Sequence, residues 1–309
     1  MTPVSIPGIR IGTVGAGIRY QGRDDLALVE IAAGASVGAV FTRNAFCAAP
    51  VTLARRHLAT LAEGVSGQAY LLINAGNANA GTGAQGLADA EATCALVAEH
   101  AGCAVSAVLP FSTGVIGAAL PVPAFSKGIP NAFAALSEAP EGWDRLARAI
   151  MTTDTVPKCV TVAFVSEGRE YHITGVAKGA GMIRPDMATM LSFIGTDAPL
   201  DAAQCQQALQ CAVERTLNRV TVDGDTSTND ACVLIATGGT DPDARMLDAA
   251  GLEQFAAALE MLTEQLARAI ARDGEGATRL VVVEVSGGRD EAECARTAFT
   301  VAESPLVKT

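Results

Sequence analysis

The stretch KGAGMIRPDMATML (178–191) carries a glycine-rich loop past a proline and straight into the apolar run LSFIGTDA. Thr189 stands where that loop enters the core. A β-branched residue at a strand start, its hydroxyl satisfied, is the ordinary reading. The chemical reading is a nucleophile. A threonine hydroxyl attacks poorly unless a base sits beside it, and the nearest base is its own amine once the Ala188–Thr189 bond is cut. An α-amine titrates at about 7.7–8.0, close to working pH, so it can take the hydroxyl proton. Ala188 leaves the scissile carbonyl uncrowded, and Lys178 could lie close and polarise groups in the pocket.

The remaining chemistry-bearing residues are few. His57, His100 and His172 are the three histidines. Two fall near helix ends and one in a hairpin, with no GxSxG elbow nearby, so they read as surface or capping residues and any base is not histidine. FSTGVIG (111–117) supplies backbone N–H groups in a flexible turn at Thr113-Gly114, a candidate oxyanion hole. MTTDT (151–155) and DGEGAT (273–278) add hydroxyls and a carboxylate in loops suited to polar substrates. IGTVGAGIRY lacks the strand–GxGxxG–helix context of a dinucleotide site, and Arg19-Tyr20 stand where a third glycine belongs, so it reads as a turn. DGDTSTND (223–230) lacks the ligand spacing of a calcium loop, and Asx and Ser/Thr turns account for its composition.

Elements that alternate between strand and helix position these residues. LALVEIAAG and ASVGAVFT read as a hairpin, 51–63 as a helix and 69–74 as a buried strand. A helix is expected over 87–102, stopped by glycine, and a helical pair over about 123–137 and 142–151. The run from Cys159 to Gly179 reads as a hairpin turning at Glu167-Gly168. A strand over 190–195 follows, then a helix from an Asp201 N-cap to Arg215, the strand ACVLIATGG, a long helix over 250–271 and a last helix from Asp290. Strands arriving as hairpins favour mixed or antiparallel sheets in an α/β fold.

The 309 residues are half hydrophobic, with 31 glycines, enough for a large core. A net charge of −11 argues against nucleic acid, which needs clustered Lys and Arg. No apolar stretch makes a clean membrane span, and no secretory signal opens the chain. Eight cysteines without CxxC pairs read as reduced, buried, cytosolic thiols, with no metal site among them.

In this order, STGVIG, MTTDTVPK, GVAKGAGMIRPDMATML, VDGDTSTND, DGEGAT and SPLVKT resemble the ornithine acetyltransferase (glutamate N-acetyltransferase) family of arginine biosynthesis. The similarity extends over essentially the whole chain. It implies a layered α/β/β/α fold of the self-cleaving N-terminal-threonine type. It also implies cleavage between Ala188 and Thr189, into parts 1–188 and 189–309 that pack as one catalytic unit. Thr189 would then carry the acetyl group from N2-acetylornithine to glutamate. Thr113 and Gly114 match the family's oxyanion-hole pair, and Thr152, Lys178, Thr189 and Glu275 its substrate contacts. By charge, Glu275 suits an ornithine-type ammonium and Lys178 a substrate carboxylate or the attacking geometry. No resident cofactor is implied, and acetyl-CoA is left open as a co-substrate. The partners implied are these amino acids, with neither membrane nor nucleic acid, in an assembly of two α and two β fragments in the cytoplasm. The family continues beyond SPLVKT with an asparagine and a hydroxyl residue of the same pocket, so the sequence is expected to be a member truncated at its C-terminal end. A self-cleaving amidase or aminopeptidase, and an inactive relative, are the rival readings.

Overall fold

The computed structural model describes residues 2–61, 67–184, 190–238, 241 and 244–308. Among the described residues nine strands form two sheets. In the first, β1 (Ile9–Val14), β2 (Leu26–Ile31), β4 (Ala69–Asn77) and β5 (Val108–Val115) lie in that order. In the second, the order is β3 (Ser36–Phe41), β9 (Ala231–Ala236), β8 (Leu191–Thr196), β7 (Arg169–Lys178) and β6 (Lys158–Ser166). Only β4–β5 and β8–β9 pair in parallel, so both sheets are mixed.

The strands β2, β4, β8 and β9 are buried along their whole length, because both of their faces are covered. Period-two alternation sorts their side chains between two cores. Ala27, Val29 and Ile31 of β2, Leu71 and Ile73 of β4, and Val233 and Ile235 of β9 meet between the sheets, with Phe111 and Phe193 at their centre. Leu26, Leu28, Tyr70 and Leu72 point outward, toward α2 (Gly83–Ala101) and α3 (Val122–Ala134). Cys232, Leu234 and Ala236 point the other way, toward α5 (Ala202–Arg215) and α6 (Ala249–Arg272). The result is four layers, α/β/β/α, as the family resemblance implied. The helix α1 (Ala49–Thr60) packs beside β5, and α4 (Glu141–Ala149) closes one end with Trp143 in the central core.

Local signals account for several elements. Glu167 and Gly168 both take positive φ (49° and 78°), the conformation of a two-residue turn that fits the twist of β6 and β7. The Asp201 carboxylate accepts from the Gln204 N–H at 2.8 Å, and the Gln204 side chain accepts from the Asp201 N–H at 3.0 Å, a closed cap on α5. The expected hairpin of LALVEIAAG with ASVGAVFT does not form. β2 pairs with β1 and β4, whereas β3 crosses to the second sheet and pairs with β9. The Ala-Gly turn between them therefore joins two layers rather than two neighbouring strands.

Two further expectations need correction. His57 is buried, not a surface or capping group: its ring Nδ1 lies 2.6 Å from the Val108 carbonyl and ties α1 to the start of β5. Cys211 is exposed, although Cys94, Cys205 and Cys232 are buried; all eight thiols are free. Beyond α6, the valine run near Val281 and Val282 is exposed and outside any strand, and α7 (Glu291–Ala302) buries no residue. Among the described residues no helix is long and apolar enough to cross a membrane.

Candidate active site

One end of each sheet opens onto a cavity of about 510 Å³, lined by Thr113, Gly114, Thr152, Lys178 and Glu275 among others. Five of the expected site residues are therefore brought together. Ala188 and Thr189 lie outside the described residues, but the next residue, Met190, and the strand that it leads into are described.

The first sheet contributes backbone. Thr113 and Gly114 are not a turn; they are the penultimate residues of β5, paired with Ala75 and Gly76 of β4. Gly114 has φ 133°, and a Cβ there would lie 2.2 Å from the Gly76 carbonyl carbon. Glycine is needed at 114 on both counts. This close approach holds the peptide group rigidly beside the cavity, which suits a donor meant to meet developing charge without moving.

The second sheet contributes charge. Its register sets Lys178, Leu191 and Ala231 side by side, so position 190 and Asp230 flank the end of β7. The Asp230 Oδ1 accepts from the Met190 N–H at 2.9 Å, and the Met190 carbonyl accepts from the Ala231 N–H at 3.1 Å. Burial drives the Asp230 carboxyl well above the usual carboxylate range, against the pull of Ser227, Met190 N–H and Lys178. Its Oδ2 is buried without a hydrogen-bond partner among the described residues. Lys178, 3 % exposed, is pushed by burial below the ordinary lysine value, opposed by Asp154 and Asp230.

Beneath the cavity floor lies an ion cluster drawn from the MTTDTVPK and DGEGAT segments, whose pairing the sequence did not reveal. Lys158 Nζ is 2.7 Å from Asp154 Oδ1 and 2.6 Å from Asp273 Oδ2, all three side chains being almost fully buried. Asp154 also accepts from the Gly179 N–H at 2.6 Å and the Thr152 N–H at 3.1 Å. It therefore fixes the backbone just after Lys178 and at Thr152. Burial alone would raise the Asp154 carboxyl, but the Lys178 and Lys158 ammoniums and the Gly179 N–H outweigh it and hold it below the usual range. In the sequence these residues stood inside MTTDTVPK and DGEGAT, and the i,i+4 spacing of Asp154 and Lys158 hinted at their pairing.

Glycine also shapes the far wall. A Cβ on Gly181 would come within 2.6 Å of the Glu275 Oε1, so the bare backbone lets that carboxylate lie against the loop. The Glu275 N–H donates to the Ala180 carbonyl at 2.7 Å. The acidic turn 223–230 proves to be a brace. Asp223 accepts from the N–H groups of Met182, Ile183 (2.9 Å) and Asp225 (3.1 Å). Asn229, unnoticed in the sequence, donates to Ala78 O at 2.6 Å and Ser112 O at 2.9 Å, joining the two sheet ends.

A sequence profile of the ArgJ family matches residues 10–309. The arginine biosynthesis bifunctional protein ArgJ of Methylococcus capsulatus is 50% identical over 304 residues, which cover 98% of this chain and 72% of that protein. The crystal structure of the Mycobacterium tuberculosis ornithine acetyltransferase, complexed with ornithine, is 37% identical. It covers 58% of this chain and 92% of the other, with a TM-score of 0.51. The L-aminopeptidase D-Ala-esterase/amidase of Ochrobactrum anthropi, described as a variant of the Ntn-hydrolase fold, is 12% identical. It covers 97% of this chain and 96% of its own, with a TM-score of 0.51. That likeness is one of fold.

Proposed function

The chain belongs to the ArgJ family, and from that footing we propose that it is an acetyltransferase of arginine biosynthesis, moving acetyl from N2-acetylornithine to glutamate through Thr189. The observation that carries the reading is the convergence of Thr113, Gly114, Thr152, Lys178 and Glu275 on one cavity. That cavity lies where the chain leads into Met190 and β8.

The chemistry begins with self-cleavage. The Thr189 hydroxyl oxygen attacks the Ala188 carbonyl carbon, the C–N bond breaks, and the departing nitrogen takes up the hydroxyl proton as a new α-amine. Water then hydrolyses the ester and frees Ala188 as a carboxylate. The two parts stay together after the cut, since β8 pairs with β7 and β9 with β3 across it.

In turnover, the Thr189 hydroxyl attacks the acetyl carbonyl carbon of N2-acetylornithine while the α-amine takes its proton. The C–N bond of the amide breaks, ornithine's nitrogen regains that proton, and acetyl remains as a threonine ester. The glutamate amine then attacks the ester carbon, and the threonine oxygen recovers its proton as N-acetylglutamate leaves. Thr113 and the Gly114 peptide stabilise the oxyanion, and Glu275 receives the ornithine ammonium. Lys178 and Thr152 hold the substrate. The reaction needs no resident cofactor; acetyl-CoA is a candidate second donor. The protein works in the cytoplasm, its paired fragments assembling two by two.

Incubation with N2-acetylornithine and glutamate tests this reading. Formation of N-acetylglutamate in excess over acetate is expected. Acetate release without transfer would make the protein an amidase instead.

A further inference from the structure

The glycine-rich stretch IGTVGAGIRY builds a second piece of the same cavity, through Arg19 and Tyr20. The Asp25 carboxylate, fully buried, collects four backbone N–H groups: Ala16 (2.8 Å), Ile18 (2.7 Å), Arg19 (3.3 Å) and Tyr20 (3.4 Å). A buried carboxylate with four N–H donors is fully satisfied and locks the loop that wraps it. Arg23 adds a second clamp. Its guanidinium lies 4.4 Å from the Tyr20 ring centroid and donates to the Met151 and Arg148 carbonyls at 2.7 and 3.1 Å.

The locked loop is pressed against the end of β4. A Cβ on Gly76 would lie 2.6 Å from the Arg19 Cβ, and Gly76 is the register partner of Gly114. Arg19 thus sits across one strand from the candidate oxyanion hole, and it lines the cavity with Thr113, Gly114 and Lys178. Its side chain makes no ion pair or hydrogen bond among the described residues.

The cavity carries charge of both signs. Among the described residues its ionisable lining consists of two cations, Arg19 and Lys178, and two anions, Asp225 and Glu275, apart from the phenol of Tyr20. Lys178 is buried beside the Asp154 carboxylate, which it helps hold below the usual range, so its charge is already answered. Arg19 is held by its backbone, and its exposed guanidinium has no counter-charge among the described residues.

The proposed reaction puts an ammonium-ended and a carboxylate-ended side chain through this one cavity in turn. We propose that Arg19 is the subsite for the side-chain carboxylate of the acidic acceptor, in the same cavity as the Glu275 carboxylate that receives the donor's ammonium. This assignment rests on the acetyl-transfer reading and adds the group that distinguishes acceptor from donor. A planar guanidinium offers the paired donors that a carboxylate accepts.

The test is calorimetric titration of glutamate and glutamine into wild type, Arg19→Ala and Arg19→Lys, beside acetyl-enzyme formation from N2-acetylornithine. Because the loop is held by its backbone, the Arg19 variants keep the fold. Glutamate should bind Arg19→Ala at least about tenfold more weakly, with Arg19→Lys in between. Glutamine binding and acetyl-enzyme formation should not change. Glutamate affinity within about twofold of wild type in Arg19→Ala would overturn the subsite. So would a wild type that forms acetyl-enzyme yet binds no glutamate. Failure to form acetyl-enzyme would instead overturn the transfer reading, and the glutamate titrations would still decide the role of Arg19.

Discussion

The two sheets meet the cavity with opposite means. The end of the first offers peptide groups and bare glycines, with Gly76 and Gly114 packed too closely for any side chain between them. The end of the second offers buried charge, with Lys178 held among Asp154, Asp230 and Glu275 and underpinned by Lys158 and Asp273. Fixed dipoles need close backbone approach and nothing else, so their cost falls on residue size. Buried charges need counter-charges and N–H donors, so their cost falls on desolvation. Damage to the first end should therefore show in rate, and damage to the second in stability.

The largest expected effect is on the charged end. Lys158→Met strands the Asp154 and Asp273 carboxylates, and urea denaturation should show a loss of about 3–5 kcal/mol, the usual result of removing one partner of a buried pair. Its pH dependence has a definite sign. Asp154 and Asp273 are held below the usual carboxylate range, so their contribution is present above an ordinary carboxylate pKa of about 4 and is lost as pH falls through the lowered values. In Lys158→Met the acid unfolding limb should move to higher pH.

Gly114→Ala probes the dipole end. Its kcat for acetyl transfer should fall by at least about 10²-fold as the displaced peptide leaves the oxyanion position, and the clash of the new Cβ with the Gly76 backbone should also lower the denaturation midpoint. Asn229→Ala cuts the tie between the two ends and leaves the Ala78 and Ser112 carbonyls without their donor. A stability loss of about 1–3 kcal/mol is expected from the shift in denaturation midpoint.

Asp230→Asn should have the smallest effect, and it can be favourable. Asparagine still accepts from the Met190 N–H but carries no titrating proton. Burial raises the Asp230 carboxyl in the fold, so its proton is held more tightly there than in the unfolded chain. Its contribution is complete below the ordinary pKa and is lost as pH rises through the raised value. The variant should therefore gain thermal midpoint over wild type as pH rises from about 4 to 8, and converge with it in acid. A constant offset would contradict the buried neutral carboxyl.

Legibility followed the range of the signals. The β6–β7 hairpin and the capped α5 were readable because their determinants, Glu167-Gly168 and Asp201 with Gln204, act within a few residues. The partner of β2 was not, because β2–β4 pairing joins positions some forty residues apart, and a turn signal at Ala33-Gly34 says nothing about which sheet the chain enters next. At the site, a hydroxyl and a glycine at 113–114 looked like a turn, since only the register with Ala75 and Gly76 makes them a strand. Asp154, Asn229 and Asp25 were missed for a related reason. Each works by collecting or donating backbone hydrogen bonds, and such partners have no sequence pattern.

The central claim is that Thr189 becomes the N-terminal nucleophile of a site built from both sheets, and the intact mass of freshly purified, denatured protein tests it most directly. Two fragments, 1–188 and 189–309, should appear in wild type, and a single full-length chain in Thr189→Ala. An uncleaved wild-type chain, or equal cleavage in the variant, would contradict the account.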